Sequence, residues 1–296
     1  MKLSVVIATR DRAAFLAGAL DSLATQRDAP ACEVVIVDNG SRDATAELVR
    51  ARAATATFPL RYVFVGEPNR GAARNAGVRA ATGDIVCFVD DDVRLPARFL
   101  FAHASAHARR AGRAVSGPIL NVPTPRDEPS PSVFNYSGAF FCTCNVSVAR
   151  AAFDAVGGFD EHFTLYGWED TDLGLRLRGS GVARGFAWQA YLWHIKPPHV
   201  ETFDTVVEKT VERGRMAARL LQKDGGLRTK LATGAYAFNV ARSAAFAPRW
   251  SLDAYRALAT NERAPAILRA VARGQYLDGR YREALTGALA DAARAR

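Results

Sequence analysis

The sequence holds no run of eighteen apolar residues, so no membrane-spanning helix is expected. Cysteine is scarce, at four residues. Cys32 and Cys87 fall in apolar stretches that read as buried strands, and Cys142 and Cys144 alternate along another. Without a second Cys/His cluster the Cys-x-Cys pair gives little ground for zinc. Reduced core thiols in a cytosolic protein are expected instead. The opening Met1–Ile7 reaches Arg10, Asp11 and Arg12 too soon for a signal peptide, so none is expected. After the first apolar run, Ala8-Thr9-Arg10-Asp11-Arg12 lacks Gly-x-Gly-x-x-Gly, which argues against a dinucleotide-binding dehydrogenase. The phosphate loop Gly-x-x-x-x-Gly-Lys-Ser/Thr is also missing. No Ser-His-Asp or Cys-His arrangement is evident. Nothing resembles a zinc finger, an aromatic RNA-binding signature or a recognition helix, so nucleic acid is not an expected partner.

What is present fits a folded protein. Apolar residues make up 49% and charged residues 23% of the 296, which suits one large domain or one domain with an appendage. From Glu201 onward there are 17 Lys+Arg against 10 Asp+Glu, so +7 of the formal +9 lies in the last third. That asymmetry favours an anionic surface, with solvated Arg-rich helix faces as the plain alternative.

The first two hundred residues alternate strand and helix. Strands are expected at Leu3 to Ala8, Glu33 to Val37, Arg61 to Val65 and Ile85 to Val89. Helices are expected at Arg12 to Thr25, at Ser41 to Ala51 with Ser41 as cap, and at Gly71 to Ala81. This order predicts an α/β fold with a doubly wound, mostly parallel sheet. Asn121 to Pro131 carries four prolines and reads as a binding loop or a passive excursion. From Glu201 the texture is helical only. Phe203, Val207, Val211, Gly214, Ala218 and Leu221 form one stripe, Leu277 to Ala292 another, and Pro265 suits the first turn of a helix from about Arg263.

The strongest chemical signal is Asp90-Asp91-Asp92 at the end of the apolar stretch Ile85–Val89. Three adjacent carboxylates repel unless a cation sits between them. Open α/β sheets bind ligands beyond the carboxyl ends of their strands, and hard cations such as Mg²⁺ or Mn²⁺ prefer carboxylate oxygens. A metal holding a phosphorylated ligand is one reading; an acidic turn facing solvent is the other. Asp38 ends the second strand, placed either to accept from a base N–H or simply to shape the turn. Asn69 to Gly77 starts a helix, where Arg74 suits an anion and Gly71 and Gly77 suit close packing. Gly167-Trp168-Glu169-Asp170-Thr171-Asp172 opens another helix. Its carboxylates complement the dipole, and they also suit a general base in a partly desolvated cleft. His194 ends an apolar stretch and is either structural or a ligand completing a carboxylate metal site.

Six segments occur here in a familiar order: Val5–Arg12, Ile36–Ser41, Asn69–Gly77, Phe88–Asp92, Gly157–Glu161 and Trp168–Leu173. Together they resemble the inverting, GT-A-fold glycosyltransferases of family 2 over roughly residues 1–200. The resemblance implies a catalytic domain over 1–200, with a nucleotide-sugar half (1–112) and an acceptor half (113–200), and a helical extension over 201–296. It implies that Thr9, Arg10, Asp38 and Arg74 contact the donor, with either Asp90 or Asp91 on the ribose. Asp92 would hold Mn²⁺ or Mg²⁺ together with His194. Asp170 would be the catalytic base, and Trp168 and Glu169 would meet the acceptor. Ala8 and Asp11 stand where family members often have Pro and Asn. The implied reaction moves a sugar, from a UDP-sugar by preference, to a hydroxyl of a glycan or glycolipid in surface polysaccharide synthesis. A sugar nucleotidyltransferase would need a Gly-rich, basic loop after the first strand, which Ala8-Thr9-Arg10-Asp11 does not supply. A basic membrane-surface or nucleic-acid module is the non-enzymatic alternative.

Leu231 to Arg242 is apolar but broken by Asn239 and Arg242, and it has cationic and aromatic flanks at Arg228, Lys230 and Arg249-Trp250. That pattern suits peripheral docking at the inner face of a membrane. Packing within a helical bundle or against a second subunit is the alternative.

Overall fold

The computed structural model describes residues 1–137, 141–198 and 201–294. Val200, the expected last residue of the catalytic domain, lies outside them. The chain divides into two compact units, one of Met1–Thr164 with Glu169–Val200, the other of Leu165–Trp168 with Glu201–Arg296.

The first unit is built on β1 (Leu3–Thr9), β2 (Cys32–Asp38), β3 (Leu60–Phe64), β4 (Ile85–Val89), the two-residue β5 (Val93–Arg94), β6 (Arg113–Ser116), β7 (Ile119–Val122), β8 (Asn145–Ala149), β9 (Ala183–Phe186) and β10 (Leu192–Ile195). Seven of these form one sheet in the order β3-β2-β1-β4-β8-β6-β9. All its pairings are parallel except those of β8, which runs antiparallel to both β4 and β6. The apolar runs of β1, β2 and β4 are buried on both faces, as a covered parallel sheet requires. On one face Leu3, Val5 and Ile7 of β1 pack with Leu16, Leu20 and Leu23 of α1 (Ala13–Ala24) and Val49 of α2 (Thr45–Ala53). On the other, Val6, Val35, Val37 and Phe88 meet Ala73 and Val78 of α3 (Arg70–Ala80) and, later in the chain, Phe153, Leu173 and Leu177. A Cβ on Gly77 would lie 2.5 Å from a Val6 methyl and 2.8 Å from a Val37 methyl, so only glycine lets α3 approach so closely.

Register then fixes the site. Thr9 lies opposite Asp38, and β4 ends immediately before the three aspartates. A smaller sheet, in the order β5-β10-β7, sets His194 beside Val93 on one side and Asn121 on the other. The remaining helices of this unit are α4 (Phe99–Arg109), α5 (Arg150–Ala155) and α6 (Glu169–Gly179). Two expectations need correction. Ser41 caps no helix, because α2 begins at Thr45, whose N–H and hydroxyl are held by Asp43. The proline-rich segment begins not as a loop but on β7.

The second unit is helical, with α7 (Phe203–Lys223), α8 (Leu227–Thr233), α9 (Ala237–Phe246), a 3₁₀ turn at Arg249–Ser251, α10 (Leu252–Thr260) and α11 (Ala266–Arg294). Thr202 caps α7 by accepting from the Thr205 N–H. The helix expected from about Arg263 starts three residues later, so Pro265 precedes it and accepts from the Arg269 N–H. Glycine again permits close packing, since a Cβ on Gly214 of α7 would lie 2.5 Å from the Tyr281 carbonyl of α11. No helix among the described residues is long and apolar enough to cross a membrane.

Candidate active site

The carboxyl ends of β1, β2 and β4 bring Thr9, Asp38 and the three aspartates into one unit. Thr9 Oγ1 donates to Asp91 Oδ2 at 2.7 Å. Asp38 is buried, and both its oxygens are engaged: Oδ1 accepts from the Ser41 N–H at 2.7 Å and Oδ2 from the Tyr62 hydroxyl at 2.6 Å. Burial and the Asp38 charge push Tyr62 up to about 12, so it stays a donor. Asp11 adopts a left-handed backbone, φ 52°, held by a hydrogen bond from its N–H to Ser41 Oγ and another from the Arg42 N–H to its carboxylate. Arg10 has a half-exposed side chain whose Nε lies 3.8 Å from Asp11.

Arg12 reaches across from the start of α1 and spans two of the aspartates. One guanidinium nitrogen lies 3.0 Å from Asp91 Oδ1, the other 2.7 Å from Asp92 Oδ2. Burial raises Asp91 to about 7, and Arg12 and Thr9 only partly offset that cost. Asp92 goes the other way. Burial alone would raise it, but His194 and Arg12 outweigh that and hold its carboxyl below the usual range. His194 Nε2 sits 3.2 Å from Asp92 Oδ1.

This corner fits a hard cation. His194 Nδ1 faces Asn121 Oδ1 at 3.1 Å and Nε2 faces Asp92 Oδ1 at 3.2 Å. A proton on Nε2 pairs the imidazole with the carboxylate; in the neutral ring with Nδ1–H toward Asn121, a cation between Nε2 and Oδ1 would take that proton's place. Asp90, Cys144 and His194 also offer ligand atoms within 4.8 Å of one another. Burial holds the Cys144 thiol well above its ordinary value, and a hard ion prefers the carboxylates and imidazole to sulfur.

The opening of α6 forms a second acidic group around Arg74 of α3. Asn69 caps α3 by accepting from the Ala72 N–H at 2.9 Å, which satisfies one of the free N–H groups an anion would use. The Arg74 guanidinium is 3.4 Å from Glu169 Oε1 and 3.5 Å from Asp90 Oδ1. Burial pulls its pKa down, but Asp170, Asp90 and Glu169 outweigh that and raise it. Asp170 is half-buried, with its Oδ1 atom shielded from solvent. Its Oδ2 accepts from the Thr143 N–H at 2.9 Å and the Thr143 hydroxyl at 3.0 Å, while Oδ1 has no hydrogen-bond partner among the described residues. Burial raises Asp170 to about 7, the range useful to a general base. Glu169 also keeps one buried oxygen, Oε2, without a partner among the described residues. Asp172 is occupied by Arg176, which donates to it twice at 2.8 and 2.6 Å. Trp168 belongs to the second unit, where its indole N–H donates to the Arg213 carbonyl at 2.7 Å and the Arg213 guanidinium lies 5.0 Å from its ring.

Sequence reasoning missed Arg12 and Thr143. Arg12 had a signal: it occupies the N-cap of α1, where a cation opposes the helix dipole and no side-chain cap forms. Thr143 had none, because its only mark was a place between two cysteines.

The model of the glycosyl transferase family 2 domain matches residues 4–146, and that of the N-terminal domain of galactosyltransferase matches residues 128–200. Validoxylamine A glucosyltransferase of Streptomyces hygroscopicus subsp. limoneus is 32% identical over 246 residues, covering 69% of this chain and 53% of that protein. The chain thus spans about half the length of that relative. Two solved structures share the fold. The mannosyltransferase PcManGT from Pyrobaculum calidifontis, in complex with GDP-Man and Mn²⁺, has a TM-score of 0.59 at 20% identity, with 99% of this chain and 75% of that one covered. S. aureus TarS 1-349 in complex with UDP-GlcNAc has a TM-score of 0.59 at 18% identity, with 97% and 91% covered. On the family models, the relative and the shared fold, this chain belongs to the GT-A-fold glycosyltransferases of family 2.

Proposed function

We propose that this chain is a cation-dependent inverting glycosyltransferase. In this reading it moves a sugar from a nucleoside-diphosphate donor, UDP-linked by preference, to a hydroxyl of a glycan or glycolipid in surface polysaccharide synthesis. One observation carries the reading. A half-buried carboxylate, Asp170, with one shielded oxygen that has no partner among the described residues, occurs in the same unit as an acidic corner whose groups would hold a cation. That the two solved relatives carry GDP-Man with Mn²⁺ and UDP-GlcNAc supports a nucleotide-sugar donor.

Thr9, Arg10 and Asp38 take the base side of the donor, Asp90 or Asp91 the ribose, and Arg74 its nucleotide. Asp92 and His194, with Asp90 in reach, would hold Mn²⁺ or Mg²⁺, whose Lewis acidity stabilises charge growing on the departing diphosphate. Thr143 fixes Asp170 Oδ2 and leaves Oδ1 to take the acceptor hydroxyl's proton. The acceptor oxygen bonds to the anomeric carbon as its bond to the diphosphate breaks on the opposite face, so the configuration inverts. Glu169 serves the acceptor. The free state of all four cysteines supports a reducing compartment such as the cytoplasm.

The direct experiment titrates UDP-, GDP- and dTDP-sugars into the protein with and without Mn²⁺. Tight binding of one nucleotide series, lost in EDTA, is expected. No cation-dependent binding of any series would sink the proposal.

A further inference from the structure

Helix α9 is built inside out. The side it turns to its own bundle is polar. Asn239 accepts from Arg242, Arg242 donates to Asp278 of α11 at 3.3 Å, and Ser243, 3% exposed, donates to the other oxygen of Asp278 at 2.5 Å. Its outward side is Ala237, Phe238, Val240, Ala241, Ala244, Ala245 and Phe246, every one exposed and none polar. Phe238 is 74% and Phe246 61% exposed, against the usual arrangement in which the apolar stripe is the packed one. The neighbouring segments continue the theme. Leu227 and Leu231 of α8 are 70% and 55% exposed, and Trp250, just past α9, is 86% exposed. An apolar surface of this kind on a folded unit marks a binding face rather than scattered surface residues.

Charge identifies the occupant. Between Asp224 and Asp253 the sequence contains no Asp or Glu and four cations, Arg228, Lys230, Arg242 and Arg249. Arg242 is spent on Asp278 and Arg249 lies 3.4 Å from Glu283, while Arg228 and Lys230 are exposed beside Leu227 and Leu231. A protein partner would be matched by mixed polar groups at a rim. Here Phe238 and Phe246 stand among cations with no carboxylate within six residues of either in sequence, the pattern that enters the headgroup layer of an anionic bilayer.

We propose that α9, with the flanking Leu227, Leu231 and Trp250, docks this protein on an anionic phospholipid surface, its outward apolar face lying in the interface plane. The helix does not span: at ten residues it is half the length a bilayer core needs, and its packed side carries an arginine. The inference goes beyond the transferase reading and does not rest on it, because the membrane contact needs no donor, acceptor or cation.

The test is sedimentation of the full chain with vesicles of phosphatidylglycerol and phosphatidylcholine, and with phosphatidylcholine alone. Binding to the anionic vesicles, weakened by salt and nearly absent on the neutral ones, is expected. Phe238→Ser should lower partitioning by roughly tenfold. Arg228→Glu with Lys230→Glu should abolish the preference for the anionic lipid. All three positions are exposed, so an unchanged circular dichroism spectrum keeps the comparison fair. An intact chain that stays in the supernatant overturns the proposal, and so does Phe238→Ser protein that sediments as well as wild type. A dimer in light scattering that Phe238→Ser dissociates, without vesicle binding, would assign the face to a second copy instead.

Discussion

Asp92, after β4, and Asp170, opening α6, each lie near one arginine, yet their partners leave them in different states. Asp92 has Arg12 at 2.7 Å on one oxygen and His194 at 3.2 Å from the other, and its carboxyl lies below the usual range. Asp170 receives both its hydrogen bonds from Thr143 on a single oxygen, while Arg74 spends its closest contacts on Glu169 and Asp90. Asp170 therefore rises to about 7. A carboxylate that stays charged suits a cation, and one that titrates near neutrality suits a proton. Divergence between neighbouring acids is how one fold assigns them separate roles.

The largest effect that could break this contrast is at Asp92. Asp92→Asn should lower turnover by on the order of 10³ while the circular dichroism spectrum is retained. Near-normal initial rates in that variant, or full activity after EDTA, would remove Asp92 from the cation site.

The pH profile sharpens the other half. Asp170 must lose its proton to act, so kcat/KM should rise about tenfold per pH unit until about 7 and then level. Burial first, then Arg74, Glu169, the Thr143 N–H and Asp90 set this value. Stability runs in the opposite sense. The folded pKa is raised, so between about 4 and about 7 the folded chain holds a proton that the unfolded chain has released. Stability therefore falls as pH rises through that window. Asp91, also raised to about 7, contributes a fall of the same sign. Urea midpoints across that window should fall less for Asp170→Asn than for wild type, and parallel curves would contradict the burial argument.

A smaller effect is expected at Arg12, which shares Asp91 and Asp92 with any arriving cation. Arg12→Gln should tighten Mn²⁺ binding by roughly tenfold, read by calorimetry without substrate, because a competing charge is gone. Weaker Mn²⁺ binding would show that Arg12 organises the site rather than competing for it. Smallest of all is Asn69→Ala, which should lower unfolding free energy by about 1 kcal/mol through loss of the α3 cap.

The sequence disclosed whatever was local. A β-branched run ending in three aspartates shows both the strand and the place where a ligand sits, and the carboxylates opening α6 stand at a visible helix start. What escaped depends on distant partners. Arg12 meets Asp91 and Asp92 about eighty residues away, and Asp170 depends on Thr143 twenty-seven residues earlier. Ser41 resembles a cap, yet its hydroxyl is used by the Asp11 N–H and its own N–H by Asp38. The segment from Leu231 to Arg242 showed its apolar content, but which side of α9 faces outward is decided by Asp278, thirty-six residues beyond Arg242.

The division of labour is tested most directly by measuring nucleotide affinity and single-turnover rate together, in Asp92→Asn and Asp170→Asn, with the donor sugar that the wild type binds. Asp170→Asn should keep the cation-dependent nucleotide affinity of wild type and lose about 10²–10⁴ in single-turnover rate. Asp92→Asn should lose the cation dependence of binding itself. An Asp170→Asn protein that binds nucleotide poorly yet turns over whatever it binds at the wild-type rate would contradict the account, and would assign Asp170 to the donor.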